Sequence, residues 1–242
     1  TTDYGLRTTD DVLIAENLAA VRSRVATAAG RAGRDPSSVT LVAVSKTFDA
    51  GAVRAAWAAG QRDFGENRVQ EAEGKMLATA DLPGVRWHLI GHLQSNKAKK
   101  AAEFSVIHSI DSLELLRRVD AAAVARGTTP DVLIQCDLAG EATKFGAPEV
   151  EIEAIARAAL EARAVRLVGL MLLPPWNEDE EQTRPWFKRL RGLRDRLVSA
   201  GMPAGSLAHL SMGMSHDFEA AIEEGATMVR VGTAIFGKRV TL

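Results

Sequence analysis

The apolar positions first follow a helical rhythm. Between Thr9 and Ala32, Val12, Leu13, Leu18, Val21 and Val25 can share one face, and Gly33 follows as a stop. Pro36 opens a turn into Val39–Val44, a nearly continuous apolar run rich in β-branched residues. Such a run predicts a strand buried on both faces, as in parallel sheets. The alternation then repeats, with strands predicted at Asp63–Gly65, Val85–Ile90, Val106–Ile110, Val132–Cys136, Arg166–Leu172, Leu207–Leu210 and Met228–Val231. Helical punctuation lies between them. Asp111 precedes Glu114 at capping-box spacing, and Pro148 suits a first helical position ahead of Glu149 and Glu151. Gly60, Gly127, Gly201 and Gly225 stand where helices should end.

Eight strands in alternation with helical or turn segments predict a (β/α)8 TIM-type barrel with an extra N-terminal helix. The 242 residues are expected to form one domain, with residues 1–8 flexible. An open doubly wound sheet is the competing arrangement.

Composition narrows the function classes. Lys+Arg 30 against Asp+Glu 31 leaves a formal net charge of -1, so no general affinity for nucleic acid or an anionic membrane is expected. Cys136 is the one cysteine, which excludes an internal disulfide. The longest stretch free of Asp, Glu, Lys and Arg, Leu197 to His216, is broken by Gly201, Pro203 and Gly205 and does not read as a membrane span. The polar Thr1–Asp11 start is unlike a targeting peptide. A cytoplasmic protein is expected.

In a barrel the chemistry sits after the carboxyl ends of the strands. Lys46 closes Val42-Ala43-Val44-Ser45-Lys46, and partial desolvation at the barrel mouth would favour its neutral, nucleophilic amine. A lysine snorkelling from a strand end is the alternative. Ser211-Met212-Gly213-Met214-Ser215 after the seventh strand and Gly232-Thr233 after the eighth have the composition and placement of a phosphate cradle. Arg230 shares a strand face with Met228 and Gly232, so it should point into the barrel and need a carboxylate or ligand acceptor. His88 and His92 lack a third ligand, so no metal is expected. Cys136 reads as a small core residue, and Lys97, Lys99 and Lys100 as a solvated basic face.

Several segments carry a family resemblance: Val44-Ser45-Lys46-Thr47, Asp63-Phe64-Gly65-Glu66-Asn67, Arg86 to Lys97, Ile107 to Ser112, Gly169-Leu170-Met171, Leu210 to Ser215, and Val229 to Gly237. Together they span nearly the whole chain. The sequence resembles the pyridoxal phosphate homeostasis proteins, single-domain relatives of the alanine racemase N-terminal barrel. The resemblance implies pyridoxal 5′-phosphate held as an internal aldimine on Lys46. Its phosphate would lie on Ser211, Gly213, Gly232 and Thr233. Arg230 would face the pyridine nitrogen, and Asn67 and Met171 would line the ring. Lys144 matches a second lysine linked to cofactor exchange. Phe48 stands where many members carry another lysine, and the tail after Arg239 is short; both depart from the family pattern.

An arginine at the pyridine nitrogen disfavours its protonation and weakens the cofactor as an electron sink. The alanine racemases take their second base, a tyrosine, from an additional C-terminal domain, whereas the sole tyrosine here is Tyr4. No catalytic residue is therefore assigned. A monomeric carrier that releases the cofactor to apo-enzymes is favoured over the alternative, an amino-acid racemase. A Schiff-base aldolase, which usually carries its lysine on a later strand, is the third possibility.

Overall fold

The computed structural model describes residues 9–140 and 145–237. Lys144, the flexibility expected for residues 1–8 and the tail beyond Gly237 lie outside the described residues.

Helix α1 (Thr9–Arg31) leads into β1 (Thr40–Val44), α2 (Ala50–Ala58), β2 (Asp63–Glu66), α3 (Val69–Ala78) and β3 (Arg86–Leu89). Then follow α4 (Ala98–Ala101), β4 (Val106–Ile110), α5 (Leu113–Arg126), β5 (Asp131–Asp137), the two-residue β6 (Ala147–Pro148) and α6 (Glu149–Leu160). The last third contains β7 (Arg166–Leu172), α7 (Arg184–Ser199), β8 (His209–Ser211), α8 (Phe218–Glu223), β9 (Met228–Val231) and α9 (Thr233–Phe236). The strands run in the order β4-β3-β2-β1-β9-β8-β7-β5, and pairing of β4 with β5 closes the ring. Every pairing is parallel, with β6 attached only to the end of β5. This is a closed eight-stranded (β/α)8 barrel preceded by one helix, not an open sheet.

The main core lies between the strands and the surrounding helices, and a smaller cluster of Val106, Leu133, Val168, Met171 and Met228 fills the inside of the barrel. The elements show where local pattern misleads. Val12 and Leu13 are 40% and 50% exposed, and the inward stripe of α1 is Ile14, Leu18, Val21, Val25, Ala28 and Ala29, at helical spacing. The strand expected at Leu207–Leu210 begins only at His209, because Ala204–Leu207 form a 3-10 turn. Ser112, rather than Asp111, caps α5, accepting from Leu115 N at 3.2 Å. Pro148 pairs with β5 and caps α6 from outside instead of opening it. Among the described residues, no helix is long and apolar enough to cross a membrane.

Candidate functional site

Strand β1 lies between β2 and β9. The residues following these three strands, Lys46, Asn67 and Gly232, therefore gather at one sector of the carboxyl-terminal mouth. Lys46 is half-buried in a tight turn. Ser45 N donates to Gly65 O at 3.1 Å, extending the β1–β2 ladder, and Phe48 N closes back on Ser45 O at 3.0 Å. Thr47 has φ +70°, a left-handed conformation that costs a side-chain-bearing residue about 1–2 kcal/mol. Its N–H donates to Glu71 Oε1.

A charged assembly supports this turn. One helical step on α3 sets Glu71 beside Lys75. Lys75 Nζ donates to Ser45 O at 2.7 Å, to Glu66 Oε1 at 2.7 Å and to Glu71 Oε1 at 2.9 Å. Ser45 Oγ also donates to Glu66 Oε1, at 2.6 Å. Glu66 is fully buried, and its Oε2 has no hydrogen-bond partner among the described residues. Burial raises the proton affinity of the Glu66 carboxyl more than Lys75 and Ser45 lower it. At Glu71 burial pulls upward too, but bonds from Lys75 and Thr47 prevail and hold the carboxyl below its usual range. Sequence reasoning assigned no role to Glu66, Glu71 or Lys75. Their only local signal was the i,i+4 spacing of the last two.

Arg230 lies inside the barrel at 3% exposure. Its Nη1 donates to Ser211 Oγ at 2.5 Å and its Nη2 to Leu172 O at 2.9 Å. Among the described residues no carboxylate forms an ion pair with it. Burial brings the guanidinium down to about 10, with Asp217 pulling the other way. Ser211 is fully buried, its hydroxyl engaged by Arg230 and by His108 Nδ1 at 2.9 Å. Met171 is fully buried in the inner apolar cluster.

The two glycine loops differ in depth. Gly213 is buried with φ +92°, and a Cβ there would sit 2.6 Å from Ala221 Cβ, so glycine lets the loop pack flush on α8. Its carbonyl accepts from Arg230 N at 3.0 Å. Asp217 Oδ1 ties the loop by accepting from Met214 N at 2.6 Å. Gly232 is shallower, and a Cβ there would lie 3.2 Å from Val44 O, next to the Lys46 turn. Gly232 N donates to Ser215 Oγ at 3.2 Å, and exposed Thr233 opens α9 beside it. Lys46, Gly232 and Thr233 thus stand together with Ser215, a loop residue to which the sequence pattern assigns no role. Arg230, Ser211, Met171 and Gly213 form the layer beneath. Asn67 borders a cleft of about 420 Å³ shared with Arg68, His92, Gln94 and Lys97.

The remaining candidates have other partners. His92 stacks on Phe145 with ring centroids 3.6 Å apart and lies 3.5 Å from Asp111. His88 is buried against His108. Among the described residues no three or more His, Cys, Asp or Glu side chains gather as a metal site. Burial pushes the Cys136 thiol far up, out of the range of a nucleophile. Lys100 pairs with Glu73 at 2.6 Å.

Comparison with known proteins adds to this geometry. The alanine racemase N-terminal domain family matches residues 17–240. The pyridoxal phosphate homeostasis protein of Pseudomonas aeruginosa is 47% identical over 227 residues, covering 93% of this chain and 96% of the relative. That of Aquifex aeolicus is 43% identical over 225 residues, covering 93% and 97%. Among solved structures, PipY of Synechococcus elongatus PCC7942 with PLP bound is 43% identical with a TM-score of 0.82, covering 93% of this chain and all of that one.

Proposed function

The chain belongs to the alanine racemase N-terminal domain family, among the pyridoxal phosphate homeostasis proteins, and from that premise we propose that it binds pyridoxal 5′-phosphate at the barrel mouth as a releasable store. Lys46 lies beside the Gly232–Thr233 loop with a buried guanidinium beneath it that pairs with no carboxylate among the described residues, and this arrangement supports the reading best. The donor set suits the group. A lysine amine meets an aldehyde, a backbone N–H and two hydroxyls meet a phosphate, and a buried cation meets the electron-rich edge of a ring.

When bound, pyridoxal phosphate supplies an aldehyde that an amine captures reversibly and a ring that withdraws electrons. Lys46 Nζ would hold the aldehyde carbon. The hydroxyls of Thr233 and Ser215 would hold the phosphate from the start of α9, and Gly232 N–H would exchange its bond to Ser215 Oγ for one to the phosphate. Asn67 and Met171 would flank the ring. Two of Arg230's five N–H groups are engaged by protein acceptors among the described residues, leaving donors for a ring nitrogen. A donor-only guanidinium there would keep that nitrogen unprotonated. Ser211 and Gly213 enter as the layer that holds Arg230 in place. The proposal includes a single-domain monomer in the cytoplasm, apo-enzymes as recipients, and Lys144 as a receiving amine during exchange.

The test is a visible spectrum of the purified protein with pyridoxal phosphate, borohydride reduction and mapping of the modified lysine. The adduct should fall on Lys46, and Lys46→Ala should abolish it with the fold intact. The loaded protein should restore a cofactor-free transaminase. An adduct confined to Lys144 would overturn the role of Lys46. Robust racemisation of an amino acid together with failure to reactivate apo-enzymes would favour the racemase.

A further inference from the structure

Five side chains cross the barrel interior in one hydrogen-bonded line. Asp63, at the start of β2, stands at the mouth opposite Lys46, and its Oδ1 lies 2.9 Å from His88 Nε2. His88 Nδ1 is 2.9 Å from His108 Nε2, and His108 Nδ1 is 2.9 Å from Ser211 Oγ. Arg230 Nη1 closes the line on the same oxygen at 2.5 Å. Both imidazoles and Ser211 are fully buried.

The chemistry of the two ends sets the direction of every bond between them. A guanidinium only donates and a carboxylate only accepts. Asp63 accepts, so His88 carries its proton on Nε2. A neutral ring protonated there accepts at Nδ1, so His108 donates from Nε2. His108 then accepts at Nδ1, which takes the Ser211 hydroxyl proton and leaves the Ser211 lone pairs to Arg230. One polarity satisfies all five groups.

The charges around the rings agree with two neutral imidazoles. At His88, burial lowers the proton affinity, Arg86 adds to that, and Asp63 and Asp131 oppose it without prevailing. At His108, burial, His88, Arg230 and His209 all act downward.

We propose that Asp63, His88 and His108 are positioning residues. Through Ser211 they set the orientation and charge environment of Arg230, so that a ring at Arg230 senses a carboxylate at the far end of the barrel. This rests on the reading above that Arg230 faces the cofactor's ring. Bonds in such a chain polarise one another in a low-dielectric interior, and this gives the line a route distinct from charge acting through space.

Two measurements decide it. In the cofactor-free protein, 15N NMR of the imidazoles should find His88 and His108 neutral with the proton on Nε2. An Nδ1–H ring or an imidazolium at either position overturns the proposal. The pH midpoint of the bound cofactor's visible band is then compared in the unmodified protein, Asp63→Asn and Asp131→Asn. Loss of the Asp63 charge leaves the ring's surroundings more positive and favours loss of the cofactor's proton, so the midpoint should fall. Asp131 lies near the same mouth but outside the line, and its variant should leave the midpoint in place. Equal shifts in both variants mean that the field acts through space, which overturns the relay. If Asp63→Asn does not fold, His108→Leu should move the midpoint and His108→Gln should restore it, since an amide can accept from Ser211 and donate to His88; equal midpoints in the two overturn the proposal. If no band forms in the unmodified protein, the cofactor reading fails and Arg230's role with it, whatever tautomers the rings show. A band that forms with the wrong tautomers sinks the relay alone.

Discussion

Two buried polar assemblies reach the barrel mouth from different directions. The one under Lys46 is compact and charged: Lys75 reaches Glu66, Glu71 and Ser45 within 2.9 Å. The one under Arg230 is long and neutral in its middle, with two imidazoles and a hydroxyl between the guanidinium and Asp63. The difference shows two ways of tolerating a charge away from water. Where opposite charges come into contact, they form a pair whose cost falls on whichever partner is left alone. Where no carboxylate can sit beside a cation, a line of dipoles supplies the acceptor, and each member depends on the next.

The sharpest break comes in the charged assembly. Lys75→Met leaves Glu66 buried without its cation and should destabilise the fold by about 3–5 kcal/mol in chemical denaturation. Glu66→Gln, which keeps an acceptor for Lys75 and Ser45, should cost clearly less. Equal losses in the two variants would mean that packing of the α3 side chain, not charge, governs this region.

The neutral line predicts a pH dependence instead. His88 and His108 bind protons less readily folded than unfolded, so the unfolded chain takes them up first as the solution acidifies. Their contribution is present above about pH 6.5 and is lost below it, at up to about 1.4 kcal/mol per pH unit for each ring. Glu66 acts in the opposite sense: its raised proton affinity contributes at acid pH and that contribution is lost as pH rises through the folded value. Denaturation midpoints compared at pH 7.5 and 5.5 should fall on acidification, and the slope should be shallower in His108→Gln. An unchanged slope in that variant would remove His108 from the account.

The smallest effect is expected at the turn itself. Thr47→Gly relieves a left-handed residue but adds freedom to the unfolded chain, for a net gain of about 0.5 kcal/mol. Its readouts are the thermal midpoint and the rate at which Lys46 takes up pyridoxal phosphate. A loss of stability would show that Thr47 contributes contacts beyond its backbone bond to Glu71.

Much of this molecule was legible in the order of its residues. The Val39–Val44 run placed a strand with Lys46 at its end, and alternation along Met228–Val231 placed Arg230 on the inner face. The paired glycine loops were visible as composition after two late strands. Each of these is a property of one element and its immediate flanks, which a period of two or a terminal glycine encodes directly. Val12 and Leu13 show the limit even there: Leu18, Val21 and Val25 of the expected face are buried, but in the first turn it is Ile14 that packs.

Partnership was decided elsewhere. His108 meets Ser211 across 103 residues, His88 meets His108 across 20, and Lys75 reaches Ser45 across 30. Alternation shows that a side chain points inward but not which inward side chain it will meet. That depends on closure between β4 and β5 and on the register of every strand between them. The sequence alone therefore determined the barrel, the lysine at its mouth and the arginine inside it, because local periodicity suffices for each. Only the closed tertiary structure decided that the arginine would share Ser211 with a histidine line and that the lysine's turn would rest on a buried ion pair, because those contacts exist only once distant strands are brought into register.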